Sequence, residues 1–407
     1  MSRRLPGPAL LAALALFPAI AGSQPSVAAR AGRAPLRATV PVDTTDSATS
    51  AAPTRADSAR TRPDSASAAP APKPAAGPAL VPGVGTIRMN GLLQAWYVTG
   101  SGAAHRTFRL RRAELKLSGD IAPRVGWTLG IDAAKALAVH RDVRRVHGQR
   151  VLADESVNLA SQMLQDASVT VRIPHGVAID VGQVKVPLSL TGTQSSSRLE
   201  TVERPMFIVD RGRGAGYGDV RDVGVQVRGT TARHLDWWMG AFNGSGESQN
   251  GTDRNDQKAV AARLVVRGGL PGLQVGASGV SGGHATADNA RRDRLGVEAQ
   301  YASGPFTVRS ELMTGVDGAA HRAGSYAHLG YRARRGVELV TRFDSWDPDT
   351  KLENSLATAR ARELLGGVNI ALGATNTLLQ LDYADRSYGG GAAPRVHQLL
   401  MNLQTAW

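Results

Sequence analysis

The stretch from Val177 to Gly229 reads VAIDVGQVKVPLSL (177–190), TGTQSSSRLETVERPMFIVDRGRGAGYGDV (191–220) and RDVGVQVRG (221–229). The first piece alternates, with Val177, Ile179 and Val181 on one face and Ala178, Asp180 and Gly182 on the other. The last alternates again, Val223, Val225 and Val227 against Gly224, Gln226 and Arg228. A period of two is the mark of a half-buried strand. Between the two strands lies a long segment rich in Arg, Ser and Gly, and a loop of that length inside a compact fold is usually functional.

Outward from this stretch, the sequence from Val84 onward is a string of short alternating segments broken by turn residues. The expected strands lie near 84–98, 105–118, 125–135, 157–173, 177–188, 221–230, 235–243, 257–268, 273–282, 291–303, 306–315, 323–334, 337–347, 361–373, 376–387 and 395–407. About sixteen strands is an even number, as in single-chain bacterial outer-membrane barrels. Connections alternate between short (Pro174 to Gly176, Gly304-Pro305, Arg335-Gly336) and long (136–156, 189–220, 244–256, 316–322, 348–360). Short periplasmic turns and long outer loops fit a membrane barrel better than a soluble sandwich with its Greek-key crossovers. The predicted fold is an all-β transmembrane antiparallel barrel whose third outer loop is long.

The chain has 407 residues, no Cys and a net charge of +14. Absent thiols exclude disulfide, zinc-thiolate and Cys-nucleophile chemistry. The basic residues sit at strand-like spacing with no zinc-finger or RNP motif, so nucleic acid is not the expected partner. Arg3 and Arg4, the apolar run Ala9 to Phe17 and Ala19-Ile20-Ala21 read as an export signal over 1–21. Residues 22–82, Ala/Pro/Ser/Thr-rich with few large apolar side chains, read as a disordered periplasmic tail. Residues 1–82 hold nine of the 48 basic and four of the 34 acidic side chains, which leaves 39 against 30 in the expected barrel over 83–407. No later run is long enough for a membrane helix, and a mean hydropathy of -0.19 is compatible with a barrel, whose strands hide their apolar residues by alternation.

GQVKVPLSL, SSSRLETVERPMF and RDVGVQVRG, in that order and spacing, resemble the phosphate-selective porins O and P of bacterial outer membranes. FRLRRAELKLSGDI, AFNGSGESQNGTDRNDQKAVAARL, VELVTRFDSWDPD and HQLLMNLQTAW extend the resemblance over about Ile87 to Trp407. The resemblance implies that the long loop is the third extracellular loop and folds into the barrel to narrow it. It also implies a homotrimer, and a last strand, closing on the aromatic Trp407, that the barrel-assembly machinery reads. Trp rings favour the headgroup zone of outer-membrane lipid.

The candidate pore-constriction residues are Arg198, Arg204, Arg211, Arg213 and Arg221, nearly cancelled by Glu200, Glu203, Asp210 and Asp219. The candidate lumen-wall residues are Arg112, Lys116, Arg228, Arg263, Arg309 and Arg342, with Arg88, Arg172, Arg294 and Arg332 on similar faces. Acidic residues such as Glu114, Asp132, Asp180, Glu298, Glu311, Asp344 and Asp382 are nearly as many, so cross-strand charge pairing is the plain alternative to an anion track. Arginine suits small anionic solutes such as phosphate because its planar fork donates two parallel bonds. The run Gly212-x-Gly214-x-Gly216-x-Gly218 lacks the Lys-Ser/Thr of a P-loop. Asp253 with Asp256, and Asp347 with Asp349, read as solvated loop, so no metal or cofactor is expected. His328 and His397 have no assignable serine partner, and no enzyme activity is expected. The expected function is passage of small hydrophilic solutes, anions favoured. A weakly selective general pore, or a structural or adhesive surface barrel, remain alternatives. The composition change near 83 makes one prediction. Residues 83–407 refolded in detergent should show strand-dominated circular dichroism and heat-modifiable gel migration, and loss of both would make the tail part of the fold.

Overall fold

A computed structural model describes residues 79–81, 85–101, 106–137, 139–146, 149–157, 163–232, 234–244, 257–282, 291–352, 355–373 and 376–407. The expected export signal, most of the tail and the Asp253/Asp256 pair lie outside these residues. Eight strands come first: β1 (Gly85–Gly100), β2 (Thr107–Ala122), β3 (Val125–Asp132), β4 (Leu164–Ile173), β5 (Val177–Lys185), β6 (Arg221–Thr231), β7 (Leu235–Phe242) and β8 (Ala259–Arg267). Eight more follow: β9 (Leu273–Ser281), β10 (Arg292–Ser303), β11 (Phe306–Asp317), β12 (Ala320–Arg334), β13 (Val337–Asp347), β14 (Ala361–Ala371), β15 (Thr377–Tyr388) and β16 (Val396–Ala406). Each pairs antiparallel with the next, and β16 returns to β1 from Gln398↔Gly100 to Ala406↔Leu92. The result is a closed barrel of sixteen strands.

The two faces are inverted relative to a water-soluble protein. Phe108, Leu364 and Leu312 are 82%, 58% and 57% exposed, along with Leu295, Val297, Leu339 and Phe343. Buried on the other face are Arg112, Asp180, Arg263, Glu298, Arg342 and Asp344. Apolar-out, polar-in alternation is what a barrel in lipid requires. Near the short-turn end the outward face carries Trp127, Trp237, Tyr301, Phe306, Tyr331 and Trp407, with the Phe306 and Tyr331 rings 5.1 Å apart. Amphipathic rings at that height suit the membrane–water interface.

Three sequence expectations need correction. The long loop expected at 316–322 is a two-residue hairpin at Gly318-Ala319, with Asp317 paired to Ala320 and Gly318 at φ 58°. That compact turn lets β11 and β12 run on, and it carries Arg322 into the lumen instead of into a loop. The strand expected over 157–173 begins only at Leu164, and the preceding loop builds its own hairpin from Val139–Val146 and Gln149–Val157. Ala79–Val81, read as the end of the tail, pairs antiparallel with Gly85–Ile87. This covers part of the β1 edge that overhangs the end of β16, and a covered edge is less prone to unwanted pairing.

The seam closes on Trp407. Its N–H donates to the Gly91 carbonyl (3.1 Å) and its carbonyl accepts from the Gly91 N–H (2.9 Å). The indole lies over Gly91, where a Cβ would fall 2.1 Å from the ring, so only glycine leaves room for it. Deleting Trp407, or the substitution Gly91→Val, should lower the yield of assembled barrel while export across the inner membrane stays intact. Unchanged yield for both variants would make the contact incidental to assembly.

Candidate functional site

The segment Val186–Val220 leaves the top of β5 and returns to β6, and in between it contacts the inward faces of β9 and of β11 through β16. Its N–H groups at Leu190 and Thr191 donate to the two carboxylate oxygens of Glu311 on β11 (2.9 and 2.8 Å). Thr191 also bonds to Tyr326 on β12 (2.7 Å), and Ser189 N–H donates to Ser278 on β9 (3.1 Å). Further along, Val202 N–H donates to Asp382 on β15 (2.7 Å), while Gln380 and Asn369 donate to the carbonyls of Leu199 and Glu200. Gln404 on β16 donates to the Ser197 carbonyl, and Arg342 on β13 to the Thr201 hydroxyl and Glu203 carbonyl. A segment that meets inward-facing side chains of β9 and of β11 through β16 lies within the lumen. Glu200 is held there by Arg309 (2.8 Å) and His328 (3.0 Å).

The loop also carries much of the largest apolar cluster among the described residues. Met206, Phe207, Ile208 and Tyr217 pack with Val184, Val186, Leu188, Met313, Tyr326 and Trp346. The wall makes room with glycine: a Cβ at Gly324 would fall 2.5 Å from the Phe207 Cβ, and one at Gly315 would fall 2.5 Å from the Tyr217 hydroxyl. Burial pushes the Tyr217 hydroxyl up to about 12, and the Arg294 guanidinium sits 4.0 Å from its ring centroid.

Beyond its anchors on β9 and β11–β16, the loop reaches β2 and β5 through Glu203 and Asp219, and Arg109 and Lys116 of β2 stay exposed. Here the strand β2 contains a bulge: Gln94 pairs with Arg112 and Ala95 with Leu110, leaving Arg111 as an extra residue. In a regular strand one of two adjacent arginines would face lipid, at high cost. The bulge turns both inward. Arg111 stacks over Trp96 (5.2 Å) and pairs with Glu203 of the loop (3.4 Å), while Arg112 pairs with Gln94 (2.7 Å) and Glu114 (3.4 Å). A second chain of charge runs Lys116–Asp166 (3.1 Å), Asp166–Arg221 (3.1 Å), Arg221–Asp219 (3.5 Å) and Asp219–Lys185 (2.8 Å). Burial alone would raise the loop carboxyls. For Glu203, Arg111 and Arg112 outweigh it and hold the carboxyl below its usual range. For Asp219, Lys185, Arg204 and Arg221 do so strongly. Their folded values lie below the unfolded ones, so the stability they contribute is present above about pH 4 and is lost only as pH falls through the lower folded values.

The candidate constriction arginines separate into two groups. Arg204 is 1% exposed and donates to the carbonyls of Thr191 and Gln194, so it holds the loop together and does not line the passage. Arg213 likewise binds Asp210, the carbonyls of Leu356 and Ala359, and the face of Tyr388. Both correct the sequence expectation: a loop folded into a lumen has orphan carbonyls, and arginine supplies the donors. Arg221 is in the ion-pair chain, Arg211 is exposed with a 3.5 Å contact to the Asp219 carbonyl, and Arg198 is exposed. All six wall candidates face inward. Arg228 pairs with Asp180 (2.7 Å), Arg263 with Glu298 (2.5 Å), and Arg342 with Asp344 (2.8 Å). Arg112, Lys116 and Arg309 are placed above. A cavity of about 290 Å³ at the short-turn end is lined by Arg198, Glu200, Arg332, Glu338 and Asn369. Asp347 is paired with Arg360 and Asp349 accepts from Lys351 N–H, so this pair is engaged within its own loop.

A closed sixteen-strand barrel, apolar outside, charged inside and filled by an anchored loop, is the architecture of an outer-membrane porin. Residues 97–284 match the sequence model of the phosphate-selective porin O and P family, which confirms over that span the family read from the sequence. No curated protein matches closely enough to count as a relative. Among solved structures, the chain is similar to an anion-selective porin from Comamonas acidovorans (TM-score 0.56, 11% identity, 79% of this chain and 99% of that one). It is also similar to OmpF of Salmonella typhi (0.53, 12%, 79% and 98%) and to OmpT of Vibrio cholerae in its trimer form (0.50, 9%, 79% and 99%). At these identities the likeness is one of fold. The chain is an outer-membrane porin.

The Glu311 contact generates a prediction. Glu311→Ala removes the acceptor of the part-buried Leu190 N–H and orphans the buried Thr191 N–H, the latter at a cost of about 1–3 kcal/mol. Single-channel recordings should then show a larger, noisier conductance than wild type, with Glu311→Gln intermediate. Identical conductance in all three would mean that Glu311 does not hold the loop.

Proposed function

We propose that this porin favours anions. The observation that supports the reading is an imbalance in spent charge. Every carboxylate whose side chain is described, which leaves aside the hairpin at 139–157, accepts an ion pair or a hydrogen bond, among them Asp166, Asp180, Glu200, Glu203, Asp219, Glu298, Glu311 and Asp382. Arg88, Arg109, Arg198 and Arg332 are exposed on inward-facing positions with no protein partner for their guanidinium groups among the described residues. Arg109 stands opposite Trp96 beside the bulge, and Arg198 with Arg332 borders the cavity at the short-turn end. Cations in a narrow, partly dehydrated passage act on solutes more strongly than in bulk water. The solute class is small hydrophilic anions, phosphate or polyphosphate among them by family. The paired carboxylates temper the field, so selectivity is modest and weakens with salt.

A homotrimer belongs to the same proposal. It rests on the family and on the likeness in fold to OmpT of Vibrio cholerae, solved in trimer form.

The test is the reversal potential across a salt gradient in a planar bilayer. Wild type should be anion-favouring, and Arg109→Ala, Arg198→Ala and Arg332→Ala together should shift it toward cations. Arg204 and Arg213 are left intact because they hold the loop. A cation-selective wild type, or a triple variant with unchanged reversal potential, would favour a general, weakly selective pore.

A further inference from the structure

On the outward face, at the long-loop end of the seam, a groove of about 500 Å³ opens between β15, β16 and the described ends of β1 and β2 at Ser101 and Arg106. It is lined by Thr99, Ser101, Arg106, Tyr383, His397 and Leu399. Tyr383 and Leu399 are 52% and 38% exposed and are in phase with Leu403 on the lipid-facing side. Just beside them, the Tyr97 and Phe108 rings lie 4.8 Å apart. The lower end of the groove is therefore apolar and the upper end polar.

The polar end is cationic. Arg106 is exposed and its guanidinium has no partner among the described residues. Arg395, two-thirds exposed, reaches Asp385 alone among the described residues, at 3.3 Å. His397 places Nδ1 3.1 Å from the Tyr383 hydroxyl and 3.5 Å from the Asp385 carboxylate, stacks on the Tyr383 ring at 16°, and has no partner for Nε2 among the described residues. Ser101 fixes the arrangement: its hydroxyl accepts from His397 N–H (2.9 Å), and its own N–H donates to the His397 carbonyl (3.0 Å). Two arginines and an imidazole thus face a single carboxylate at the boundary between hydrocarbon and headgroups. Uncompensated cations at that depth are favourable where anionic headgroups meet them.

We propose that this groove binds a phosphorylated glycolipid of the outer leaflet, of the lipid A type. Arg106 and Arg395 would grip the headgroup phosphate, His397 would donate from Nε2, and an acyl chain would lie along Leu399, Tyr383, Tyr97 and Phe108. Arginine is suited to phosphate because of its bidentate fork, and a phosphomonoester carries more than one negative charge at neutral pH. The long-loop end faces the cell exterior in outer-membrane barrels, which selects the outer leaflet. The inference rests on the outer-membrane location and not on the anion selectivity of the lumen, since these side chains point away from it.

The full-length porin, stripped in detergent, is incubated with bisphosphorylated lipid A, with its dephosphorylated form, or with phosphatidylglycerol, and retained lipid is counted by native mass spectrometry. Wild type should retain bisphosphorylated lipid A at least about tenfold better than the dephosphorylated form, and better than phosphatidylglycerol. Arg106→Gln with Arg395→Gln should remove that preference while single-channel conductance and reversal potential stay at wild-type values. Inorganic phosphate at millimolar concentration should not displace the lipid, because it lacks the acyl contacts. Equal retention of the dephosphorylated lipid or of phosphatidylglycerol by wild type would overturn the proposal, as would displacement by inorganic phosphate. A double variant that keeps the preference would also overturn it, and one that loses oligomeric state with lipid retention unchanged would assign the groove to a second copy of the chain.

Discussion

Hydrocarbon offers no hydrogen-bond partner, so every backbone N–H and C=O that crosses it must be satisfied within the protein. Closing the sheet is how a β-protein meets that condition, and here closure depends on the β16–β1 seam. The inversion of faces follows. Once the backbone is satisfied, the outward side chains need only be apolar, and charge can collect inside where water enters. The overhang that the stagger leaves on β1 is partly covered by Ala79–Val81, and the terminal Trp407 seats on Gly91 where the seam ends.

A wet, charged lumen is a poor place for a loop, because the loop brings its own backbone donors and acceptors into confinement. This chain solves the problem twice. An apolar patch around Phe207, Tyr217 and Trp346 anchors one end of the loop by burial. Elsewhere, wall side chains take the place of a second strand: Glu311 and Asp382 accept from loop N–H groups, while Arg342, Gln380, Asn369 and Gln404 donate to loop carbonyls. Much of the lumen's buried charge is therefore scaffold. Among the described residues, Arg88 on β1, Arg109 on β2, Arg198 in the loop and Arg332 on β12 are the exposed lumen cations that this scaffold does not engage.

The strand pattern was legible because alternation survives in a barrel: all sixteen expected strands exist, several within a residue or two of their expected limits. Loop length was less legible. The seven-residue connection expected at 316–322 collapses to two residues because Gly318 adopts a left-handed turn, which sequence alternation alone does not reveal. The site was legible by residue type and not by role. Arg204 and Arg213 look like pore arginines in a loop sequence, and only packing shows that carbonyls consume them. Conversely, adjacent Arg111 and Arg112 carried a signal that strand phasing overlooks: two neighbouring charges in a membrane strand imply a bulge. The apolar run Met206-Phe207-Ile208 in an otherwise polar loop was the trace of the inward fold.

Gln380 is buried beneath the loop and bonded to it, whereas Arg109 and Lys116 on β2 are exposed. The chain has no native cysteine, so single cysteines report cleanly on access from solution. Charged thiol reagents applied during single-channel recording should modify Arg109→Cys or Lys116→Cys on β2 and step the current, while Gln380→Cys beneath the loop should stay silent. Rapid modification at position 380 with silence at 109 and 116 would contradict the placement of the loop.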